Sequence, residues 1–484
     1  MSVSLCMIVR DESANLAECL GSVAGLVDEI VVVDTGSSDD TTELARRAGA
    51  RVFEFPWVDD FAAARNESIA RALGDWIFWM DADDRLPAAA FQTLRDAVRA
   101  LPDDNVGYLM DVICPGPDGG PMFHVPHVRL FRRRPDIRWT GRVHEQIARP
   151  ILASGGSLRR LGAGIVHVGY TRRSNRRAKL ERNLRLLDLE IDEGTSNVYS
   201  LLARAGTLIG LDRAAEALVA LNLCLPIGPD REIGRQVAAL TAEAWVMEGR
   251  LLDALDAVRG GLAEFARDAK LQFQEASLLT ALGQLDEAEV CLRAQLLVGE
   301  EHGASVAADR SIAAFRARHL LAEVLLERGR PDLAETQARI VIETRPSYGQ
   351  AWVTLAESLA EQGKATELAV VRRHVDVTLG SAVAGALVRV VEHLASGQAA
   401  AALAVLERAT AASPDDPFLN RALARTLVAL GSHDEALRRV VGAALAADPL
   451  CPRTRSIERT LAQPPVPRWL PRVPIDATLR PVVL

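Results

Sequence analysis

Residues 76–84 read WIFWMDADD: five large apolar side chains, Trp76 to Met80, end abruptly in three carboxylates, Asp81, Asp83 and Asp84. An unbroken apolar run suits a strand covered on both faces, as in a mostly parallel sheet. The acids then fall at its carboxyl end, where open α/β sheets bind ligands. Asp81 and Asp83, one residue apart, offer two carboxylates to one hard cation, Mg²⁺ or Mn²⁺, which also takes oxygens from a phosphate. The competing reading gives Asp83 or Asp84 to the cap of a helix beginning near Pro87.

Upstream, the same pattern repeats. VSLCMIVR (3–10) reads as a strand ending in Asp11 and Glu12, and a helix follows with Leu16, Leu20 and Val23 on one face. EIVVVD (29–34) is a buried strand ending in TGSSDDT, whose Ser and Asp side chains can cap a helix over 41–48. A third strand, 51–55, leads through PWVDD to a helix carrying Phe61, Arg65, Asn66 and Ile69, with Asp59 or Asp60 at its cap. Strand and helix alternating in this way predict a doubly wound, mostly parallel sheet. Neither GxGxxG nor GxxxxGK[ST] occurs, and no lysine precedes Lys179, so phosphate has to be held by metal and arginine.

MIVRDESANLAECLGSV, EIVVVDTGSSDDT, FAAARNESIARALGDWIFWMDADD and RLFRRRPDIRWTGRVHEQI, in that order, resemble a family 2 glycosyltransferase of the GT-A fold, in the branch fused to tetratricopeptide repeats. The resemblance implies a nucleotide-sugar donor, most simply a UDP-sugar, and a divalent cation. It places Asp34 against the base or ribose, with Ser37 and the segment Val9, Asp11 and Glu12 lining the same pocket. It further implies that Arg65 lies near the donor, that Asp83 holds the metal on the diphosphate with Asp81 beside it, and that His167 is a late metal ligand. Read alone, a histidine after Val166 is more often a packed residue hydrogen-bonded to backbone.

Beyond Asn105, VGYLMDVIC, HVPHVRLFRR and DIRWTGRVHEQI read as β-rich segments, with a turn at PGPDGGP, and should form the acceptor side of the cleft. Inverting transfer needs a base that takes the acceptor's proton. Glu145 is the first candidate and His144 the competing one, with Asp111 and Asp136 behind them; the plain alternative for Glu145 is an ion pair with Arg142. Arg129, Arg172 or Arg173 could neutralise the leaving diphosphate.

After Asn175, RRAKLERNLRLLDLEI is an amphipathic connecting helix. Glycines then recur at 210, 249, 283, 329, 363, 397 and 431, with spacings of 39, 34, 46, 34, 34 and 34. An alanine stands five places on in six of the seven units, at 215, 254, 288, 334, 402 and 436, with Leu368 the exception. A 34-residue period of paired helices with small residues at the crossings resembles tetratricopeptide repeats, which stack into a solenoid with a concave binding surface. The expected organisation is a GT-A domain over 1–174, the connecting helix over 175–195, an all-α solenoid over 196–450, and a proline-rich tail over 451–484 with Trp469 and Leu470 as anchors.

Composition narrows the class. Between Arg129 and Arg185 stand sixteen basic residues and three acids, in a chain of net charge −8. That block can face an anionic ligand or pair with acids elsewhere. There is no basic stripe interleaved with aromatics, which argues against a nucleic-acid partner. The six cysteines lack any CxxC pair, no apolar run reaches a bilayer's thickness, and the first residues lack a leader's layout, so the expectation is a cytoplasmic, bacterial protein without a transmembrane segment. The acceptor expected is a peptide or protein held by the repeats; a glycan or lipid-linked acceptor, or a repeat scaffold with an inactive transferase domain, are the alternatives. A sugar nucleotidyltransferase fits poorly, because RDESAN stands where its glycine-rich loop belongs.

Overall fold

In the computed structural model the described residues are 1–115, 121–168, 176–224, 231–298, 312–414, 416–430, 435–451 and five later positions, 454, 455, 457, 458 and 461. The PGPDGGP turn, Arg172, Arg173, the insertion near 300–309, Gly431, the Ala436 side chain, and Trp469 and Leu470 lie outside the described residues. The chain divides into two compact units, one reaching from Met1 to Leu240 and a second formed by the helices from Thr241 onward.

The first unit runs β1 (Val3–Val9), α1 (Leu16–Ser22), β2 (Glu29–Asp34), α2 (Thr41–Arg47), β3 (Arg51–Glu54), α3 (Phe61–Arg71), β4 (Trp76–Trp79), β5 (Asp84–Arg85), α4 (Ala88–Arg99), β6 (Val106–Pro115), β7 (Pro121–Arg132), α5 (Ala148–Ala153), β8 (Ser157–His167), α6 (Arg176–Asp192), α7 (Val198–Gly210) and α8 (Ala214–Asn222). The strands form one eight-stranded sheet in the order β3-β2-β1-β4-β7-β6-β8-β5. β3, β2, β1 and β4 are parallel, whereas β7 is antiparallel to β4 and β6, and β5 is antiparallel to β8. The sheet is therefore mixed: its N-terminal half, β1 to β4, is parallel, and the later strands bring in the antiparallel pairings.

β4 is central because both its faces are apolar. Trp76, Phe78 and Met80 enter one core with Leu5, Met7, Leu94 and Met110. Ile77 and Trp79 enter the other with Phe131, Ile137, Trp139 and Ile151. Each such side chain contributes about 2 kcal/mol by leaving water, enough to fix where the strand ends and so where the carboxylates begin. The helix after it does not use them: α4 starts with Pro87 at its cap position and no side-chain cap.

DIRWTGRVHEQI, expected to be β-rich, forms no strand. Ile137, Trp139, Val143 and Ile147 are buried at near-alternate positions, which imitates a strand's period. The segment is instead a loop pinned to the core, with one isolated bridge between Thr140 and Gln146.

The helical series continues with α9 (Arg231–Met247), α10 (Leu251–Glu264), α11 (Ala269–Leu282), α12 (Leu285–Val298), α13 (Ala317–Glu327), α14 (Pro331–Thr344), α15 (Gly349–Glu361), α16 (Ala365–His374), α17 (Ala382–Ala395), α18 (Ala399–Ala412), α19 (Pro417–Ala429) and α20 (Glu435–Ala447). Gly249, Gly283, Gly329, Gly363 and Gly397 each close the first helix of a pair with φ between 65° and 82°, a conformation that costs residues with a Cβ about 1 kcal/mol or more. Five residues on, Ala254, Ala288, Ala334 and Ala402 are fully buried and Leu368 nearly so.

The first unit of the period departs from the expected register. Gly210 is still helical, and Asp212 takes the left-handed turn with φ 61°. Five residues beyond Asp212 is Ala217, fully buried, whereas Ala215 is exposed. Aspartate tolerates this conformation better than most residues. Among the described residues, no helix is long and apolar enough to cross a membrane.

Between α14 and the turn after α15, Glu335 accepts from Lys364, Gln362 and Arg339, each at 2.8 Å. Burial opposes its charge, but these donors win and lower its pKa from 4.5 to about 2. The sign follows directly: the stabilisation is complete above the unfolded value near 4.5 and is lost as pH falls through about 2. Glu335→Gln should therefore cost about 2 kcal/mol at pH 7, and the difference from wild type should shrink steadily below pH 4.5 in urea unfolding.

Candidate active site

Strand ends place the polar residues. At the ends of β1 and β2, Asp34 is buried and accepts from the backbone of Gly36 at 3.1 Å and Ser37 at 3.0 Å and from the Ser37 hydroxyl at 2.5 Å. The Ser37 hydroxyl in turn receives the Asp11 N–H at 3.0 Å, and Asp11 accepts from Ser38. Those bonds hold Asp11 at φ 52° and lower its pKa. Glu12 donates its backbone N–H to Thr41 and accepts from Asn15. Val9 is buried, its carbonyl taken by Thr35. The two loops are thus one cross-linked rim.

The second group lies at the end of β4. DADD closes a tight turn, with Asp84 N–H donating to the Asp81 carbonyl at 3.0 Å and Asp81 N–H to the Asp84 carboxylate at 2.9 Å. Antiparallel pairing of β5 with β8 sets Asp84 opposite His167. His167 Nδ1 is 2.9 Å from Asp84 and 3.4 Å from Asp83. Asp81, Asp83, Asp84 and His167 each present one ligand atom, all within 4.8 Å of one another.

Two arginines balance this charge. Arg65 of α3, 8% exposed in its side chain, bonds Asp81 at 2.9 Å and Glu145 at 2.5 Å. Arg129 of β7 bonds the fully buried Asp84 at 2.8 Å. Both guanidinium groups lie over the Trp79 ring, at 4.2 and 3.7 Å from its centroid, and Arg65 is also 5.2 Å from that of Trp139. The consequences divide the cluster. Burial opposes charge on Asp81, but Arg65 and Arg129 hold its pKa near 2. Burial pushes Asp83 up to about 6, and Asp81, Asp84 and Glu12 push the same way. Burial works against a charged His167, yet the carboxylates around it raise its pKa overall.

The acceptor-side candidates separate. Glu145 pairs with Arg65, and Arg142 goes instead to Glu193 at 2.5 Å. His144 is exposed with φ 55°. Asp111 pairs with Arg160 and Asp136 with Arg134, each away from the cluster. Arg129, expected at the diphosphate, is consumed by Asp84. Residues that the pattern did not single out for a role at the site are Trp79, Trp139 and His127, and Asp84 as a partner of the cluster. His127, exposed at the surface, lies 6.4 Å from Trp79 ring to ring.

The carboxylate–histidine cluster at the carboxyl end of β4 and the buried Asp34 at the end of β2, two strands away, share the edge at which α/β sheets bind ligands. Residues 4–152 match the family Glycosyl transferase family 2, and residues 393–457 match Tetratricopeptide repeat. The match to the glycosyltransferase family is thus confined to the N-terminal α/β sheet region, and the match to tetratricopeptide repeats to the last helices. A TPR repeat-containing protein of Synechococcus elongatus is 44% identical over 151 residues, 31% of this chain and 36% of that protein. The SPbeta prophage-derived glycosyltransferase SunS of Bacillus subtilis is 28% identical over 148 residues, 29% of this chain and 33% of SunS. The alignments therefore span about a third of these relatives' length. A tetratricopeptide repeat protein from Parabacteroides merdae superposes with a TM-score of 0.41 at 14% identity, covering 55% of this chain and 99% of that one.

Proposed function

We propose that the protein transfers a sugar, with inversion, from a nucleotide donor, most simply a UDP-sugar, and that transfer depends on a divalent cation. The observation that carries the reading is the gathering of Asp81, Asp83, Asp84 and His167 at the end of β4. Three carboxylates and one imidazole suit Mn²⁺ better than Mg²⁺, which prefers an all-oxygen shell. When bound, such a cation neutralises charge on the donor's diphosphate.

Asp34, fixed by Gly36 and Ser37, receives the nucleoside, with Val9, Asp11 and Glu12 forming the rest of that wall. Glu145 takes the proton of the acceptor. As the acceptor atom bonds to the anomeric carbon, the bond from that carbon to the diphosphate oxygen breaks and its electron pair leaves with the nucleoside diphosphate. Arg65 holds the Glu145 carboxylate in place through a 2.5 Å ion pair. His144, exposed beside it, is the second candidate. We assign transfer to residues 1–174, the connection to 175–195, and binding of a peptide or protein acceptor in the cytoplasm to the repeats over 196–450, with 451–484 as a tail.

Calorimetric titration with UDP and GDP, each with Mn²⁺ and again with EDTA, tests the reading. Cation-dependent binding of one nucleotide supports it and names the donor class. Absence of binding to either by the folded protein removes it.

A further inference from the structure

We propose that Trp79 is a positioning residue of the cation site, acting through Arg65 and Arg129. The inference rests on reading the β4 cluster as that site. Trp79 ends β4, two residues before Asp81, and is 5% exposed. Its indole is itself anchored: Nε1 donates to the Val128 carbonyl at 2.6 Å, and the ring meets Trp139 edge-on at 5.1 Å. Against this fixed ring lie the two guanidinium groups that bond two of the four ligand residues, Arg65 on Asp81 and Arg129 on Asp84.

A guanidinium on a flexible stem beside three carboxylates has an alternative place to go. It can swing into the space between them and occupy the cation's position, since its charge and donors satisfy the same oxygens. Stacking on a desolvated indole opposes that movement. Each arginine holds one oxygen of its aspartate, and the second oxygen of Asp84 meets His167 at 2.9 Å. A carboxylate turned by its arginine would lose that orientation. Supports of this type, one residue removed from the ligands, change metal affinity by 10–100-fold when deleted.

Mn²⁺ binding, followed by electron paramagnetic resonance on the full chain with and without 1 mM UDP, reads the effect directly. Trp79→Met removes the aromatic face and should weaken Mn²⁺ binding roughly 10–100-fold. Trp79→Phe restores a face and should return to within about threefold of wild type. Arg65→Lys keeps the charge without the planar stack and should lose about tenfold; this variant decides the matter if Trp79→Met does not fold. Wild-type Mn²⁺ affinity in folded Trp79→Met, or in Arg65→Lys, overturns the proposal. Asp83→Asn separates the two ideas. If it too binds Mn²⁺ normally, the cation-site reading itself is wrong; if it abolishes binding while Trp79→Met does not, only the role of Trp79 is lost.

Discussion

Asp83→Asn is expected to cut sugar transfer about 1,000-fold or more while making the protein more stable, not less. The first half follows from charge. A cation at a leaving diphosphate supplies several kcal/mol of transition-state stabilisation, and each 1.36 kcal/mol is tenfold in rate. Asp81 and Asp84 are already occupied by arginines, so Asp83 is the carboxylate whose charge no arginine offsets. The second half follows from the same crowding. Burial and three neighbouring acids raise its pKa from 3.8 to about 6, which means that the folded protein holds this carboxylate at a cost. A group whose folded pKa is raised penalises the fold fully above about pH 6, and the penalty disappears below the unfolded value of 3.8. Asparagine keeps the shape and removes the charge. Thermal unfolding in EDTA should show Asp83→Asn more stable by about 1–3 kcal/mol at pH 8 and equal to wild type near pH 3.5. Mn²⁺ should stabilise wild type and leave the variant unmoved. Loss of stability at pH 8, or transfer at wild-type rates, would contradict the assignment.

How far this site could be read beforehand depends on the distance over which each part is determined. The β4 run and its acids are contiguous, and their meaning is local: an apolar strand must end where charge begins. Asp34 and Asp11 are legible for the same reason, each closing its own strand. For Asp84 the sequence leaves a helix cap open as a competing reading, because nothing nearby predicts that Arg129 and His167, 45 and 83 residues away, converge on it. That convergence is made by β7 pairing with β4 and β8 pairing with β5, pairings that composition does not encode. Likewise Arg65 and Glu145 are 80 residues apart, so the partner of Glu145 was sought in the nearby Arg142. The misread loop has a different cause. Burial at Ile137, Trp139 and Val143 fits the core without a ladder, and burial is all that a hydrophobic pattern reports. Among the described residues, glycine makes the turn at 249, 283, 329, 363 and 397, and aspartate performs the same turn at 212.

Arg129→Met should be the most damaging single change to the fold of the N-terminal domain, at about 3–5 kcal/mol. Asp84 is fully buried, and its carboxylate has three bonds: Arg129 at 2.8 Å, His167 at 2.9 Å and the Asp81 N–H at 2.9 Å. Methionine fills much of the arginine's volume, so a cavity contributes little; the loss is that of a counter-charge in a site that water does not reach. The remaining partners cannot replace it. The amide is neutral, and His167 is shared with Asp83. If that account is right, the damage belongs to the orphaned carboxylate and not to the missing arginine, and removing the carboxylate as well should reverse most of it. The double variant Arg129→Met, Asp84→Asn is therefore expected to recover at least about 2 kcal/mol relative to Arg129→Met alone. Urea unfolding followed by tryptophan fluorescence, read in a background with Trp245, Trp352 and Trp469 replaced by Phe, reports this domain through Trp57, Trp76, Trp79 and Trp139. Additive costs in the double variant would mean that Arg129 stabilises through its stacking on Trp79 and its 3.4 Å bond to the Trp79 carbonyl, with Asp84 tolerated alone.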